Sequence, residues 1–237
     1  MDDIDAIAVL QDPVRRRLYE YVVTQGREVG RNEAAEAAGV ARTLAAHHLD
    51  RLAEAGLLET GSRRLTGRSG PGAGRPAKVY TRARTERAVS LPARDYRTAA
   101  ELLAEAAEEA GLDAGLCAAA RRRGEALRGS AAACGGLEEV MELLAVRGYE
   151  PYLEGGEDAE DVRAEADEGA AGAAARVVRM RNCPFHAVAE RFPPLVCGMN
   201  LALLEGLLGQ DGPVRARMDP RPGECCVVVE TSKNNGD

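Results

Sequence analysis

The chain has 237 residues, 45% of them hydrophobic and 29% charged, with a formal net charge of −7. That composition gives room for two small cores, and no apolar run approaches the ~18 residues of a membrane span. The average hides an asymmetry: residues 1–97 carry a net +4 and the rest a net −11, so only the front half suits a polyanionic partner.

The opening "MDDIDAIAVLQDP" is acidic and too poor in apolar residues for a signal peptide. The expected location is therefore the cytoplasm. There the six cysteines stay reduced and act as free thiols, catalytic groups or metal ligands rather than as a disulfide framework.

"DPVRRRLYEYVVTQG" predicts a helix with Asp12 as cap, Pro13 at the first helical position and Gly26 as stop. Val14, Leu18, Tyr21 and Val22 form its apolar side. "GRNEAAEAAGV" predicts a short helix capped by Asn32 and ended at Gly39. "ARTLAAHHLDRLAEAGLLE" predicts a third, with Leu44, Leu49 and Leu52 inward and Gly56 as terminator. Short helix, glycine turn and longer helix match a helix-turn-helix, whose last helix enters the major groove of DNA. Exposed positions on it are Arg42, Thr43, Ala46, His47 and Arg51, with Arg42 and Arg51 the leading candidates for base or phosphate contact. His47 and His48 point about 100° apart on a helix and do not share one metal; each either reads bases or sits in packing.

Two strand-like pieces, 57–60 and 78–82, flank a Gly/Pro/Arg-rich loop, and residues 58–84 hold seven basic residues against one acidic. A hairpin of this kind beside a recognition helix is a wing. Its Arg63, Arg64, Arg68, Arg75 and Lys78 suit phosphates or the minor groove. The segments "DPVRRRLYEYV", "GVARTLAAHHLDRLAEAGLL" and "GRPAKVY" resemble those of the ArsR-like winged-helix bacterial regulators.

A helical pattern over about 95–110 puts Ala99, Leu102, Leu103 and Ala106 on one stripe with glutamates opposite. In a winged-helix regulator such a helix pairs with its twin, and half-site recognition calls for a two-fold homodimer; packing within the chain is the alternative. Cys117 and Cys134 have no neighbouring His or Cys and read as small apolar fillers. A helix from Leu137 to Gly148, a strand from Tyr149, an acidic Ala/Gly-rich loop and a strand "ARVVRM" follow.

The last third concentrates soft-ligand chemistry. Cys183 sits where a strand ends, Cys197 follows Pro193-Pro194 at a helix start, and Cys225-Cys226 open a final strand after "VRARMDP" and "RPG". Cysteines at element ends can converge, and thiolates suit Zn²⁺, Cu(I) or iron–sulfur clusters. The spacing C-x13-C-x27-C-C is neither a zinc ribbon nor a ferredoxin pattern. By spacing alone a metal or cluster site, a redox disulfide and buried core cysteines all stay open. Phosphate loops, nucleotide fingerprints and legible carboxylate pairs are missing, so an enzyme is not expected.

Together, the winged helix and "RNCPFHAVAERFPPLVCGMNLALLEGLL…GECCVVV" resemble the SufR-type regulators. The resemblance implies a DNA-binding homodimer, acting as a repressor on operator DNA. It also implies an iron–sulfur cluster, of the 4Fe-4S type, that senses iron or redox state. It carries over Cys183, Cys197 and Cys225 as ligands. Cys226 is left in doubt because adjacent strand residues face opposite ways, so the fourth ligand stays open between His186, Cys226 and a non-protein group. Zinc, a thiol switch or a small organic effector remain alternatives. The expected fold is α+β: a winged helix-turn-helix at 1–90, a dimerisation helix and linker at 91–132, and a cysteine-containing sensor domain with a small antiparallel sheet at 133–237.

Overall fold

The computed structural model describes residues 2–63, 76–155 and 176–232. It divides into two compact units, Met1–Arg94 and Asp95–Asp237.

In the first unit, α1 (Asp3–Ala8) is capped by the Asp2 side chain and runs into a 3₁₀ turn, Val9–Gln11. Helix α2 (Pro13–Gln25) starts as predicted: the Asp12 carboxylate accepts from the Val14 and Arg15 amides, and Gly26 ends the helix in the left-handed region at φ 62°. A two-residue strand, β1 (Val29–Gly30), precedes α3 (Arg31–Ala38), and α4 (Arg42–Glu54) follows the Gly39 turn. The cap of α3 is Gly30 rather than Asn32, because β1 carries the chain into the helix two residues early and Glu33 reaches back to the Gly30 amide. Leu18, Val22, Ala34, Ala45, Leu49 and Leu52 form the core between the helices. Leu44 is not part of it: it is 42% exposed, and His48 takes the buried place on α4. Strands β2 (Leu58–Arg63) and β3 (Ala77–Arg82) pair antiparallel from Leu58↔Arg82 to Arg63↔Ala77, with β1 on the other side of β3.

The second unit begins with α5 (Tyr96–Glu109) and α6 (Asp113–Arg128), followed by α7 (Leu137–Ala145). A four-stranded antiparallel sheet has the order β4 (Pro151–Glu154), β5 (Val177–Met180), β7 (Val227–Thr231), β6 (Val214–Met218). Between β5 and β6 lie the short α8 (His186–Ala189) and the long α9 (Pro193–Leu208). Val178, Met180, Val214, Val227 and Val229 pack with Leu137, Val140 and Leu144 of α7 and with Leu204, Leu207 and Leu208 of α9. The alternate strand positions carry Tyr152, Glu154, Arg179, Arg215, Arg217 and Glu230, the period-2 pattern of a sheet with one apolar and one polar face.

Helix α9 is buried on more than one side, and α6 crosses it at two glycines. A Cβ on Gly206 would sit 2.2 Å from the Arg121 carbonyl oxygen, and one on Gly124 would sit 2.2 Å from that of Leu203. The backbones therefore approach as no other residue type permits. This crossing corrects the expectation of a separate segment over 91–132: α6 is packed against α9 in the same unit as the sheet, and its helical character was missed. Gly206→Ala is expected to cost about 1–3 kcal/mol through overpacking. Gly115→Ala, on the same α6 but facing open space, should be neutral or stabilising by up to about 1 kcal/mol. Urea midpoints by circular dichroism check both, and equal midpoints would remove the crossing as a constraint.

Candidate functional site

Each unit presents one candidate site. In the first, Arg42, Thr43, His47 and Arg51 are all exposed along α4, with Leu44 among them and Ala46 half-buried. Among the described residues no partner holds Arg42, whereas Arg51 pairs with Glu54 at 2.9 Å. Below this face Asp50 gathers Arg31 at 2.8 Å, Lys78 at 2.7 Å and the Tyr80 hydroxyl at 2.7 Å. Burial pushes the Asp50 carboxyl up, but the bonds from Lys78, Tyr80 and Arg31 outweigh it and hold the group below its usual 3.8. Burial, with Asp50 beside it, raises the Tyr80 phenol to about 12. The effect is to bolt β3 to the start of α3 and the middle of α4, so the wing base is fixed against the recognition helix. Sequence reasoning missed this hub; an acidic residue inside an otherwise basic face was the available signal.

The expected wing cations divide. Lys78 is committed to Asp50, and Arg63 lies 3.4 Å from Glu28. Arg64, Arg68 and Arg75 fall outside the described residues. His47 is exposed, while His48 is buried and its Nδ1 accepts from Arg15 Nε at 3.3 Å.

Burial lowers the His48 pKa from 6.5, against a raising influence from Asp12 and with further lowering by Arg15 and His47. The unfolded chain therefore takes up the proton first, so this unit's stability is intact above about 6.5 and declines as pH falls below it. His48→Gln is expected to flatten that decline between pH 7 and 5 in urea melts. An equal slope in variant and parent would rule out His48 as its source.

In the second unit, three segments bring four cysteines to one cavity of about 120 Å³, lined also by His186, Glu190, Val196, Asn200 and Glu224. Cys183 leaves β5 beside Asn182, whose side chain accepts from the Glu150 amide at 2.6 Å and donates to the Gly148 carbonyl at 2.8 Å. Cys197 lies inside α9, not at its start, because Pro193 and Pro194 take the first helical positions. Cys225 and Cys226 precede β7, and the Cys225 amide extends the sheet by bonding the Met180 carbonyl at 3.0 Å.

The sulfurs fall into two pairs. Cys225 beside it pulls the Cys183 thiol below its ordinary value despite burial, while Cys183 and burial push the Cys225 thiol upward. Cys197 and Cys226 stand 2.6 Å apart, beyond an S–S bond of ~2.05 Å. Burial and that neighbour raise Cys197 to about 12. Behind them the buried Asn200 donates to Cys225 Sγ at 3.4 Å and accepts from Tyr149 at 2.5 Å.

The doubt over Cys226 rested on strand alternation. The chain bends at Glu224 and Cys226 instead of running as a strand, so alternation does not apply and both neighbours line the cavity. His186 reaches the rim, 63% exposed, with Nε2 at 3.1 Å from Glu190. Cys134 is packed in the core, and Cys117 is half-buried, its sulfur facing Gly198.

Among the described residues, no three His, Cys, Asp or Glu side chains surround a single point as a lone metal ion requires. The four thiols lining one cavity are, by donor chemistry, of the kind that iron–sulfur clusters take as ligands.

The turn bearing Cys225 and Cys226 is held from the sheet's polar face. Arg179, 1% exposed, binds Glu154 at 2.6 Å, Asp219, and Glu224 at 3.9 Å, while the Tyr152 hydroxyl bonds Glu224 at 2.7 Å.

A family model described as a helix-turn-helix domain matches residues 10–61, from the turn before α2 into β2. No curated protein and no solved structure matches the chain. The helix-turn-helix supports a DNA-binding regulator. Among the described residues no helix is long and apolar enough to cross a membrane.

Proposed function

We propose that the chain is a homodimeric transcriptional repressor whose Asp95–Asp237 unit senses iron or redox state through an iron–sulfur cluster. The observation that carries this reading is the convergence of Cys183, Cys197 and Cys225 from three separate segments onto one cavity. A cluster supplies an iron- and oxidant-sensitive group when bound. The chain's part is to present thiolates from the end of β5, the second turn of α9 and the approach to β7, and to release their protons on binding. Pairing of α5 with its twin is supported by Leu102 and Leu103, exposed by 61% and 73% on a helix whose core contact is Ala104. DNA and cluster are then coupled reciprocally: whatever the cluster does to DNA affinity, DNA does to cluster retention.

The 2.6 Å approach of Cys197 and Cys226 favours a second reading, a thiol switch in which an external two-electron oxidant such as a peroxide takes the two thiol hydrogens and leaves a disulfide. Protein purified without air separates the two. The cluster reading expects iron and acid-labile sulfide in equal amounts with visible absorbance that fades in air; colourless, iron-free protein would leave the thiol switch.

DNA binding is checked on duplex DNA across a salt series. Arg42→Ala is expected to weaken binding and reduce the log–log salt slope by about 1. An unchanged slope would take Arg42 out of the interface.

A further inference from the structure

The three cysteines carried over by resemblance leave one iron of a four-iron cube without a protein ligand. Two side chains at the cavity compete for that place. His186 stands at the rim on α8, mostly in solvent, and its Nε2 is engaged by Glu190 one turn along. Cys226 is half-buried, with its sulfur beside that of Cys197.

Resting on the iron–sulfur reading above, we propose that Cys226 supplies the fourth thiolate of the site and that His186 does not ligate. All four of Cys183, Cys197, Cys225 and Cys226 line the one cavity, and the sulfur of Cys226 stands directly beside that of Cys197. Cys225 and Cys226 are carried by one turn. Its ends are fixed by the Cys225 amide on the Met180 carbonyl and by the Asp219 amide on the Cys226 carbonyl at 2.8 Å. Arg179 holds Asp219 and faces Glu224 on either side of that turn. The sulfur of Cys226 is thus positioned by the fold, while the imidazole of His186 would have to leave a carboxylate and enter from solvent. The remaining cysteines offer no rival, since neither Cys117 nor Cys134 lines the cavity. Four thiolates from one chain give one terminal donor for each iron.

The experiment uses the full chain, purified anaerobically, as parent, Cys226→Ser, Cys226→Ala and His186→Ala. Far-UV circular dichroism confirms that each is folded. Iron and sulfide content, visible and electron paramagnetic resonance spectra, and the rate of iron release to a chelator are measured. The proposal expects both Cys226 variants to lose iron about tenfold faster or more. The Ser variant should show a changed spectrum, because an oxygen replaces a sulfur donor, and His186→Ala should match the parent in every readout. A parent that holds the cluster while Cys226→Ser and Cys226→Ala match it would overturn the assignment of Cys226 and leave the iron–sulfur reading standing. A Cys197–Cys226 disulfide in the cluster-loaded parent, seen as a cross-linked peptide by mass spectrometry, would do the same. A parent without iron and sulfide would sink both.

Discussion

Arg179 is a guanidinium almost wholly withdrawn from water, and much of the second unit is arranged around that fact. A buried charge is tolerated only when its partners are in place. Those partners are Glu154 from β4 and Asp219 and Glu224 from the turn between β6 and β7. Asp219 is shared with Arg217, and Glu154 with Arg221, so the carboxylates are themselves held. The consequence falls on the opposite side of the sheet. The turn that satisfies Arg179 is the one that delivers Cys225 and Cys226, so the polar face fixes where two of the four sulfurs stand.

Asp50 plays the corresponding part in the first unit, with the signs reversed. It is less buried than Arg179, and its pairs with Arg31 and Lys78 are each worth no more than about 1 kcal/mol. Their value lies in geometry. By drawing in one residue from α3 and two from β3, Asp50 ties β3 to both helices. It also removes Lys78 from the free cations, which leaves Arg42 as the unpaired charge on the outer face of α4 among the described residues. Arg51 and Arg63 can still turn to a phosphate, because exposed ion pairs such as those with Glu54 and Glu28 are cheap to exchange.

What the sequence made legible follows from how local each signal is. Asp12, Pro13 and Gly26 determine a helix by themselves, and the α2 boundaries are the predicted ones. The apolar residues of "ARVVRM" and the turn at "RPG" mark the strands β5 and β7, the latter starting two residues later than expected, at Val227. The errors lie where a distant contact decides. Leu44 fits the apolar stripe of α4 as well as any residue, yet the core closes over His48, which Arg15 receives from another helix. Helix α6 has a weak apolar pattern because its closest contact is backbone against backbone at Gly124, and glycine in a helix reads as a breaker. For the cysteines, spacing gave the three segments but not their pairing. Cys226 was left in doubt by a strand rule that does not apply where the chain bends. The Arg179 network, made of side chains from three strands and a turn, has no linear signature.

The position of Cys197 gives the cavity a route to the rest of its unit. Helix α9 carries it, and that helix is also the wall of the sheet's apolar face and the partner of α6 at the glycine crossing. The neighbouring Val196 both lines the cavity and packs with Leu195, Phe192 and Ala104 in a second cluster that joins α9 to α5. A change in what the sulfurs hold is therefore one residue away from the helix whose Leu102 and Leu103 face outward. At neutral pH Cys197 keeps its proton, since its pKa is raised to about 12, and Cys183 and burial push the Cys225 thiol upward as well. Thiolates tied to a common group would cross-link the end of β5, the second turn of α9 and the approach to β7. Val196, next to Cys197, packs in one cluster with Ala104 of α5, so such a cross-link would bear first on the N-terminal end of α9.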